Sequence, residues 1–387
     1  METGFLTPLF DRPGPWASVY LDTTRATQDA AKQQELRNRS VLAQLDEAGA
    51  DPYTREALAK RLDAEPVSGA PPGRALFAAG AEVVLDLPLT SVPPASEATW
   101  RTLPHIAPLA GLYADDPPCL VARIDTTGAD LELFGAQGRE PLGSVEGTEW
   151  RARGHRSIPA DRYEWHYRNK VEQGWEQTAE IIASTLARHW PHTGAQLALL
   201  AGEARERRAV LQRLPEQLRN VTVEAAGGSR QSHAAGNLLE REVTRARAAH
   251  TRRHLEDAVD TFRAARGRPG ERTPEGVLGP GQAAEGVPAV VEAARSHQLA
   301  TLLLAEDGPD MGREVWIGPG GDDIAVRRSE ARSAGVANPQ SARADDALVR
   351  AAAACDADVL RIPDGMAGPA GGCGAVLRWT VSRREPA

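Results

Sequence analysis

The sequence has few of the residues that mark secreted, metal-binding or membrane proteins. Only three cysteines, Cys119, Cys355 and Cys373, occur in its 387 residues. They are too few and too scattered for a disulfide framework or a CxxC metal site. No apolar run approaches the roughly 20 residues that a membrane span needs, and the N-terminus lacks the features of a signal peptide. We therefore expect a cytoplasmic protein that has no membrane partner and needs neither a cofactor nor a metal.

Aromatic residues are also scarce, and the overall charge is negative. Aromatic side chains make up 5% of the chain, and 53 acidic residues outnumber 45 basic ones, giving a net charge of −8. This balance argues against a general nucleic-acid coat and against a DNA partner, although it allows contact with RNA at a few places. The length predicts two or three domains at roughly 150 residues each, and we expect a monomer.

One stretch departs from this background. Residues 150–170 read WRARGHRSIPADRYEWHYRNK, with six basic and two acidic residues and four interleaved aromatics. Arginine binds phosphate through paired hydrogen bonds, and aromatic faces stack on bases. We call this stretch the basic segment, and its candidate RNA-binding residues are Arg151, Arg153, His155, Arg156, Arg162, Tyr163, Arg168 and Lys170. The alternative interpretation is a solvated loop whose arginines pair with nearby carboxylates.

The pattern around the basic segment predicts how it is carried. Five glycines and a proline predict an irregular stretch over residues 135–154, and Ser157 with Pro159 favours a helix start. Apolar residues at spacings of three and four then predict a long helix over about 161–190. Elsewhere strands alternate with helices, which predicts an α/β fold class. Among these elements we predict helices over about 52–63 and 344–355 and a strand over 358–362. We divide the chain into three α/β domains, 1–116, 117–225 with a basic loop at 147–162, and 226–387.

The order of these parts resembles the archaeo-eukaryotic class-1 release factor and Pelota superfamily, and in particular its bacterial branch, which includes ribosome hibernation factors. The resemblance rests on four motifs taken together, SVYLD at 18–22, LPHIAPLAGLY at 103–113, PGQAAEGVPAVVEAARSHQLATLLLAED at 280–307 and IPDGMAGPAGGCGAVLRW at 362–379. It implies a tRNA-mimicking arrangement that enters the ribosomal A site. The first domain would face the decoding centre, the basic loop the peptidyl-transferase centre, and the third domain a GTPase such as EF-Tu.

The sequence departs from this family at the catalytic motif. Catalytic members carry Gly-Gly-Gln in the middle-domain loop to orient a water at the peptidyl-tRNA ester. The matching stretch here is Arg153 to Pro159, RGHRSIP, which has no Gln, and the Gly227-Gly228 pair with Gln231 lies elsewhere. The resemblance therefore implies a non-catalytic hibernation or stress factor that contacts ribosomal RNA in the A site. The alternatives are a peptidyl-tRNA hydrolase or rescue factor with an atypical loop, and a stress protein that has lost ribosome binding.

Overall fold

The computed structural model describes most of the chain, in two compact units. The described residues are 1, 3–24, 30–64, 71–113, 117–135, 138–147, 160–225, 236–267 and 282–379, without the side chains of 160–174, 236, 237 and 267. The first unit combines Met1–Asp115 with Leu255–Ala387, and the second unit is Asp116–His254. The division into three domains and their tRNA-mimicking arrangement stay predictions.

The N-terminal part of the first unit is an antiparallel sheet with helices. Its elements are α1 (Thr7–Phe10), β1 (Trp16–Asp22), α2 (Ala30–Glu47), α3 (Pro52–Asp63), β2 (Gly73–Ala79), β3 (Glu82–Leu89), β4 (Glu97–Arg101) and α4 (Leu109–Leu112). The strand order is β3-β2-β1-β4. Because successive side chains of a strand point to opposite faces, Val19 joins a cluster with Val41 and Leu45 of α2, whereas Tyr20 joins the larger core of the unit.

The second unit is a five-stranded sheet with helices on both faces. Its elements are β5 (Cys119–Asp125), β6 (Gly128–Gly135), β7 (Gly138–Glu146), α5 (Ala160–Thr193), β8 (Leu197–Ala201), α6 (Ala204–Arg213), α7 (Glu216–Asn220), β9 (Thr222–Ala225) and α8 (Gly236–Gly267), which belongs to this unit as far as His254. The order is β7-β6-β5-β8-β9, with β5, β8 and β9 parallel. Leu120 faces α5 and α6, and Val121 faces α8.

The C-terminal part of the first unit holds two further sheets. Its elements are β10 (Ala283–Glu285), α9 (Val287–Arg295), β11 (Leu299–Ala305), β12 (Glu314–Ile317), β13 (Ile324–Ala325), α10 (Arg328–Ser333), β14 (Gln340–Arg343), α11 (Ala344–Ala354), β15 (Asp358–Ile362) and β16 (Cys373–Leu377). The sheet orders are β10-β16-β11-β15, in which β11 and β15 are parallel, and β13-β12-β14. The same core cluster that contains Tyr20 also contains Leu348 of α11.

The predicted α/β class is confirmed, and one local prediction is wrong. Residues 135–154 were expected to be irregular, but Gly138–Glu146 form β7, which pairs with β6 along its whole length. The glycines that suggested a loop are accommodated at an edge: Gly138 and Gly143 have positive φ, and the register shifts between Leu131 and Glu132 of β6. None of the described helices is long and apolar enough to cross a membrane.

Candidate functional site

The basic segment follows the edge strand β7 in the chain and continues into the long helix α5. Arg151, Arg153, His155 and Arg156 lie outside the described residues. Arg162, Tyr163, Arg168 and Lys170 lie within α5, where the backbone is described but the side chains are not. The structure therefore brings four of the eight candidate residues onto one helix and leaves the placement of the other four as a prediction.

Helix α5, which carries the second half of the basic segment, is long and packs against the sheet of the second unit through its later turns. It has 34 residues, which corresponds to a length of about 50 Å at 1.5 Å per residue. Its later turns are anchored by Ala179, Ile182 and Leu186, all buried against the sheet of the second unit. The chain that precedes the segment is also fixed, because Gly147 donates to Thr127 O at 2.7 Å. A Cβ added at Gly147 would lie 2.5 Å from Thr178 Oγ1 of α5, so the end of β7 packs directly on this helix.

A second set of arginines, on α8, divides into structural and exposed members. Arg247 donates from Nε to Pro117 O at 3.1 Å and from Nη2 to Phe134 O. It therefore links α8 to the open end of the β5–β6 hairpin, where both chain ends of the hairpin lie. Leu239 and Val243 on the same helix are buried against the sheet. Arg241 and Arg245 are exposed. This helix thus has an apolar face, an arginine that binds main-chain carbonyls, and a solvated basic face.

A cluster of buried and partly buried ionisable groups lies in the first unit, around the N-terminus of α11. His105 Nδ1 lies 2.9 Å from Asp346 Oδ2, and Asp346 Oδ1 accepts from the main-chain N–H groups of Ile106 at 2.9 Å and Ala107 at 3.1 Å. Asp345 accepts from Arg343 at 3.0 Å and 2.5 Å. We call these four side chains, His105, Arg343, Asp345 and Asp346, the carboxylate latch.

The main chain of His105 is held as firmly as its side chain. Its N–H donates to Ser18 Oγ at 2.9 Å, and its carbonyl accepts from the Tyr20 hydroxyl at 2.7 Å. Burial and the neighbouring Asp346 raise the pKa of Tyr20 well above its usual value, so this hydroxyl is a permanent donor. The latch therefore joins β1, the segment 105–107 and α11 at one point of the first unit.

The electrostatics of the latch suit a structural pair. Burial lowers the pKa of His105, but Asp346 outweighs this effect, and the net shift is upward. Burial and the adjacent Asp346 raise the pKa of Asp345, while Arg343 opposes them. Both carboxylates sit in the first turn of α11, where the helix dipole favours negative charge. Three of these side chains come close enough to share a metal ion, yet each already has a partner within the protein.

A cysteine, a histidine and an aspartate also lie close together in this unit. Cys355 Sγ is 3.9 Å from His297 Nδ1, and His297 Nε2 is 3.1 Å from Asp322 Oδ2. The order matches a nucleophile, base and orienting acid. The thiol, however, is 5% exposed, contacts Ala294 O at 3.6 Å, and has a pKa that burial raises. A nucleophilic cysteine needs a lowered pKa, so this arrangement is a packed thiol beside a histidine.

The positive φ of His297 is explained by the way α9 ends. At 51° it lies in the left-handed region, which residues other than glycine seldom adopt. It follows Ser296, the C-cap of α9, and its N–H donates to Ala294 O at 3.0 Å while Gln298 N donates to Ala293 O at 3.0 Å. This is a helix-terminating turn, so the strained backbone ends α9 and does not indicate chemistry.

Sequence reasoning missed the latch entirely. The signal for half of it was present, since two adjacent aspartates open the predicted helix at 344–355 and acidic residues favour a first turn. The other half, His105, lies 241 positions away in the chain, and nothing in the local pattern joins the two.

A family comparison covers the region of the basic segment. Residues 118–268 match the model of bacterial archaeo-eukaryotic release factor family 2. This confirms the resemblance to the bacterial branch of the superfamily. The matched residues include β5 to α8 and all eight candidate residues of the basic segment. The chain is release factor-like over this region.

Relatives of similar length occur in Mycobacterium tuberculosis. The uncharacterized proteins Rv2629 of strain H37Rv and MT2704 of strain CDC 1551 are each 28% identical over 383 residues, covering 96% of this chain and 95% of theirs. Among solved structures, the archaeal translation termination factor aRF1 is 15% identical, with a TM-score of 0.24 over 97% of this chain and 96% of its own. A model of ribosome-bound archaeal Pelota and ABCE1 gives 14% identity and a TM-score of 0.37, covering 98% and 96%. At these scores neither structure carries an argument about this chain.

Proposed function

We propose that this protein is a cytoplasmic, non-catalytic ribosome-binding factor that occupies the A site during hibernation or stress. The observation that carries the proposal is the match of residues 118–268 to a bacterial release factor family, because it encloses the whole basic segment. The segment is then the part that contacts ribosomal RNA, through Arg151, Arg153, His155, Arg156, Arg162, Tyr163, Arg168 and Lys170.

The way the segment is mounted supports an RNA-probing role. It follows an edge strand whose end packs on Thr178, and it continues into a helix anchored by Ile182 and Leu186. A probe that enters a crowded RNA cavity must keep its direction, and a long anchored helix gives it that direction. Loops with functional side chains are commonly positioned by a rigid scaffold in this way.

The charge distribution supports binding through one region. The chain carries a net charge of −8, whereas residues 150–170 hold six basic and two acidic residues. An acidic body is repelled by RNA phosphates, so an RNA surface would be approached with the basic segment foremost. This combination favours a protein that docks in one orientation over one that coats RNA.

The lack of Gly-Gly-Gln in the basic segment supports a role without peptide release. Among the described residues, the one arrangement that resembles a catalytic triad is centred on Cys355, whose thiol is buried with a raised pKa. The runner-up remains a peptidyl-tRNA hydrolase or rescue factor whose segment orients water by other means. A release assay separates the two.

Co-sedimentation with ribosomes over a range of salt concentrations tests the proposal. Replacing Arg151, Arg153, His155 and Arg156 by alanine should weaken binding. It should also reduce the magnitude of the slope of log affinity against log salt by up to about three, one for each arginine–phosphate contact. The matched control replaces three exposed arginines of the first unit, Arg39, Arg327 and Arg332, and removes the same charge. Equal losses in both variants would show a general charge effect, and unchanged binding in the first would reject the basic segment as the RNA contact.

We further propose EF-Tu as a partner of residues 226–387. If that region contacts the GTPase, adding EF-Tu to the co-sedimentation should increase the bound fraction at a fixed concentration of the protein. Equal binding with and without EF-Tu would reject this partner while leaving ribosome binding itself intact.

A further inference from the structure

A cavity in the first unit is lined by a buried arginine that forms no ion pair with the residues that the structure describes. Arg350 lies on α11 and is 5% exposed. Its Nη2 donates to Gly318 O at 3.0 Å and Pro319 O at 2.6 Å, whereas Nη1 is buried and has no hydrogen-bond partner among the described residues. No carboxylate of those residues forms an ion pair with it. Asp322 and Asp323 act on it only from a distance, and burial still lowers its pKa.

Such an arginine is unusual enough to require an explanation. Buried charges in proteins are paired or fully hydrogen-bonded, because removing an ion from water costs several kcal/mol even after the protein relaxes. Arg74, another buried arginine of this unit, follows the rule: it is 3% exposed and donates to both carboxylate oxygens of Asp86, at 2.8 Å and 2.7 Å. Arg350 has two carbonyl partners at Nη2, but its buried Nη1 has no partner among the described residues.

The carbonyls that hold Arg350 come from a rigid turn. Gly318 N donates to Asp323 O at 2.9 Å, and Gly320 N donates to Asp323 Oδ2 at 2.7 Å. A Cβ at Gly318 would lie 2.7 Å from the same carboxylate oxygen, so the turn is closely packed. The Asp323 carboxylate is thus engaged within the turn between β12 and β13. The turn fixes one edge of the guanidinium and keeps this arginine beside the cavity.

The cavity beside Arg350 has the size and walls of a small-molecule site. Its volume is about 370 Å³, within the usual range for ligand sites. Phe10, Trp16 and Ile317 give it apolar walls, and its mouth includes the exposed residues Arg12 and Asn338. Arg12 is engaged with Glu82 across an exposed ion pair, so Arg350 is the buried cation of the site.

We propose that this cavity binds a small organic anion, in which a carboxylate or phosphate compensates the charge of Arg350 and a flat apolar group packs against Phe10. Because Nη1 is buried, the side chains that cover it must move for the anion to reach it, while Nη2 keeps its hydrogen bonds to Gly318 O and Pro319 O. The anion then supplies the charge-assisted hydrogen bond that the protein leaves unmade. This site lies outside residues 118–268 and is independent of the proposed ribosome contact.

Isothermal titration and thermal unfolding of the full chain with benzoate and phenyl phosphate test the proposal. Both anions should bind and raise the unfolding temperature, whereas neutral benzyl alcohol should do neither. The tighter of the two anions identifies the headgroup as carboxylate or phosphate. Arg350→Met should weaken binding by about tenfold or more, the value of one charge-assisted hydrogen bond. Arg327→Met, which removes an exposed arginine outside the cavity, should leave binding unchanged.

A second variant keeps the test decisive if Arg350→Met does not fold. Asn338→Trp fills the cavity mouth from an exposed position, where a large side chain can be tolerated, and should abolish binding. Absence of binding in the parent protein overturns the proposal. Equal binding of the neutral analogue also overturns it, because it indicates a purely apolar cavity. Anion binding that survives both cavity variants overturns it as well, because it indicates a different site.

Discussion

His105 Nδ1 lies 2.9 Å from Asp346 Oδ2, and this contact joins parts of the chain 241 residues apart. The aspartate is 1% exposed and accepts two main-chain hydrogen bonds beside the histidine. A buried carboxylate that receives hydrogen bonds from three donors is stable, but removing its cationic partner leaves an uncompensated buried charge that destabilises the fold. The first unit is therefore held at this point by an interaction that neither half of the chain can make alone.

His105→Ala should destabilise the first unit by about 3–5 kcal/mol, the usual cost of leaving one member of a buried ion pair without its partner. Asp346→Asn should cost less, because an amide can still accept from Ile106 and Ala107. Urea unfolding followed by tryptophan fluorescence measures both. Arg327→Ala, an exposed substitution, is the control and should change stability by no more than about 0.5 kcal/mol. Equal stability of His105→Ala and the parent would show that the latch contributes nothing.

The stability of the first unit should also depend on pH through His105. Because Asp346 raises the pKa of His105 in the folded chain, the stabilisation is fully present below the unfolded value of about 6.5 and is lost as the pH rises through the higher folded value. The free energy of unfolding should therefore fall as the pH is raised above about 6.5. His105→Gln should flatten this part of the profile. A parent profile that rises over the same interval would contradict the assigned direction of the shift.

Much of the fold could be predicted because its signals are local. The helix Pro52–Asp63 matches its predicted limits, since Asp51 caps it by accepting from Thr54 N at 2.9 Å and Pro52 opens it. The strand Asp358–Ile362 is a short apolar run between turns and also matches. β7 was missed because its glycines and exposed side chains resemble a loop, and only pairing with β6 makes it a strand.

The candidate sites also differ in whether the sequence alone could reveal them. A basic, aromatic stretch is visible in the sequence, so residues 150–170 could be chosen without a structure. The latch and the Arg350 cavity could not, because each depends on residues brought together from distant parts of the chain. Arg350 in particular is one of many arginines in the sequence. Its distinction is that it is 5% exposed and that its Nη1 has no hydrogen-bond partner in the described part of the chain, and neither property leaves a local pattern.

The three cysteines should be unreactive in the native protein. Burial raises the pKa of Cys119 and of Cys373 to about 12 and also raises that of Cys355. Since the thiolate is the reactive form, native protein should react slowly with Ellman's reagent at pH 8, and all three thiols should react after unfolding in guanidinium. Rapid modification of one thiol in the native state, lost in Cys355→Ala, would instead identify Cys355 as a nucleophile beside His297.

A peptide-release assay addresses the central question of whether the basic segment is catalytic. With no Gly-Gly-Gln between β7 and α5, we expect saturating protein to release peptide from ribosome-bound peptidyl-tRNA no faster than buffer in a single-turnover experiment. Binding must be shown in the same sample, so that absence of release is not absence of contact. The sharpest comparison is His155→Ala, because His155 is the one side chain among residues 153–159 that could act as a general base near neutral pH. Release above the control that disappears in His155→Ala would establish a hydrolase with an atypical loop. Release that persists in this variant would still reject a non-catalytic factor and would require water to be oriented by another group, whereas bound protein without release supports a factor that acts by occupying its site.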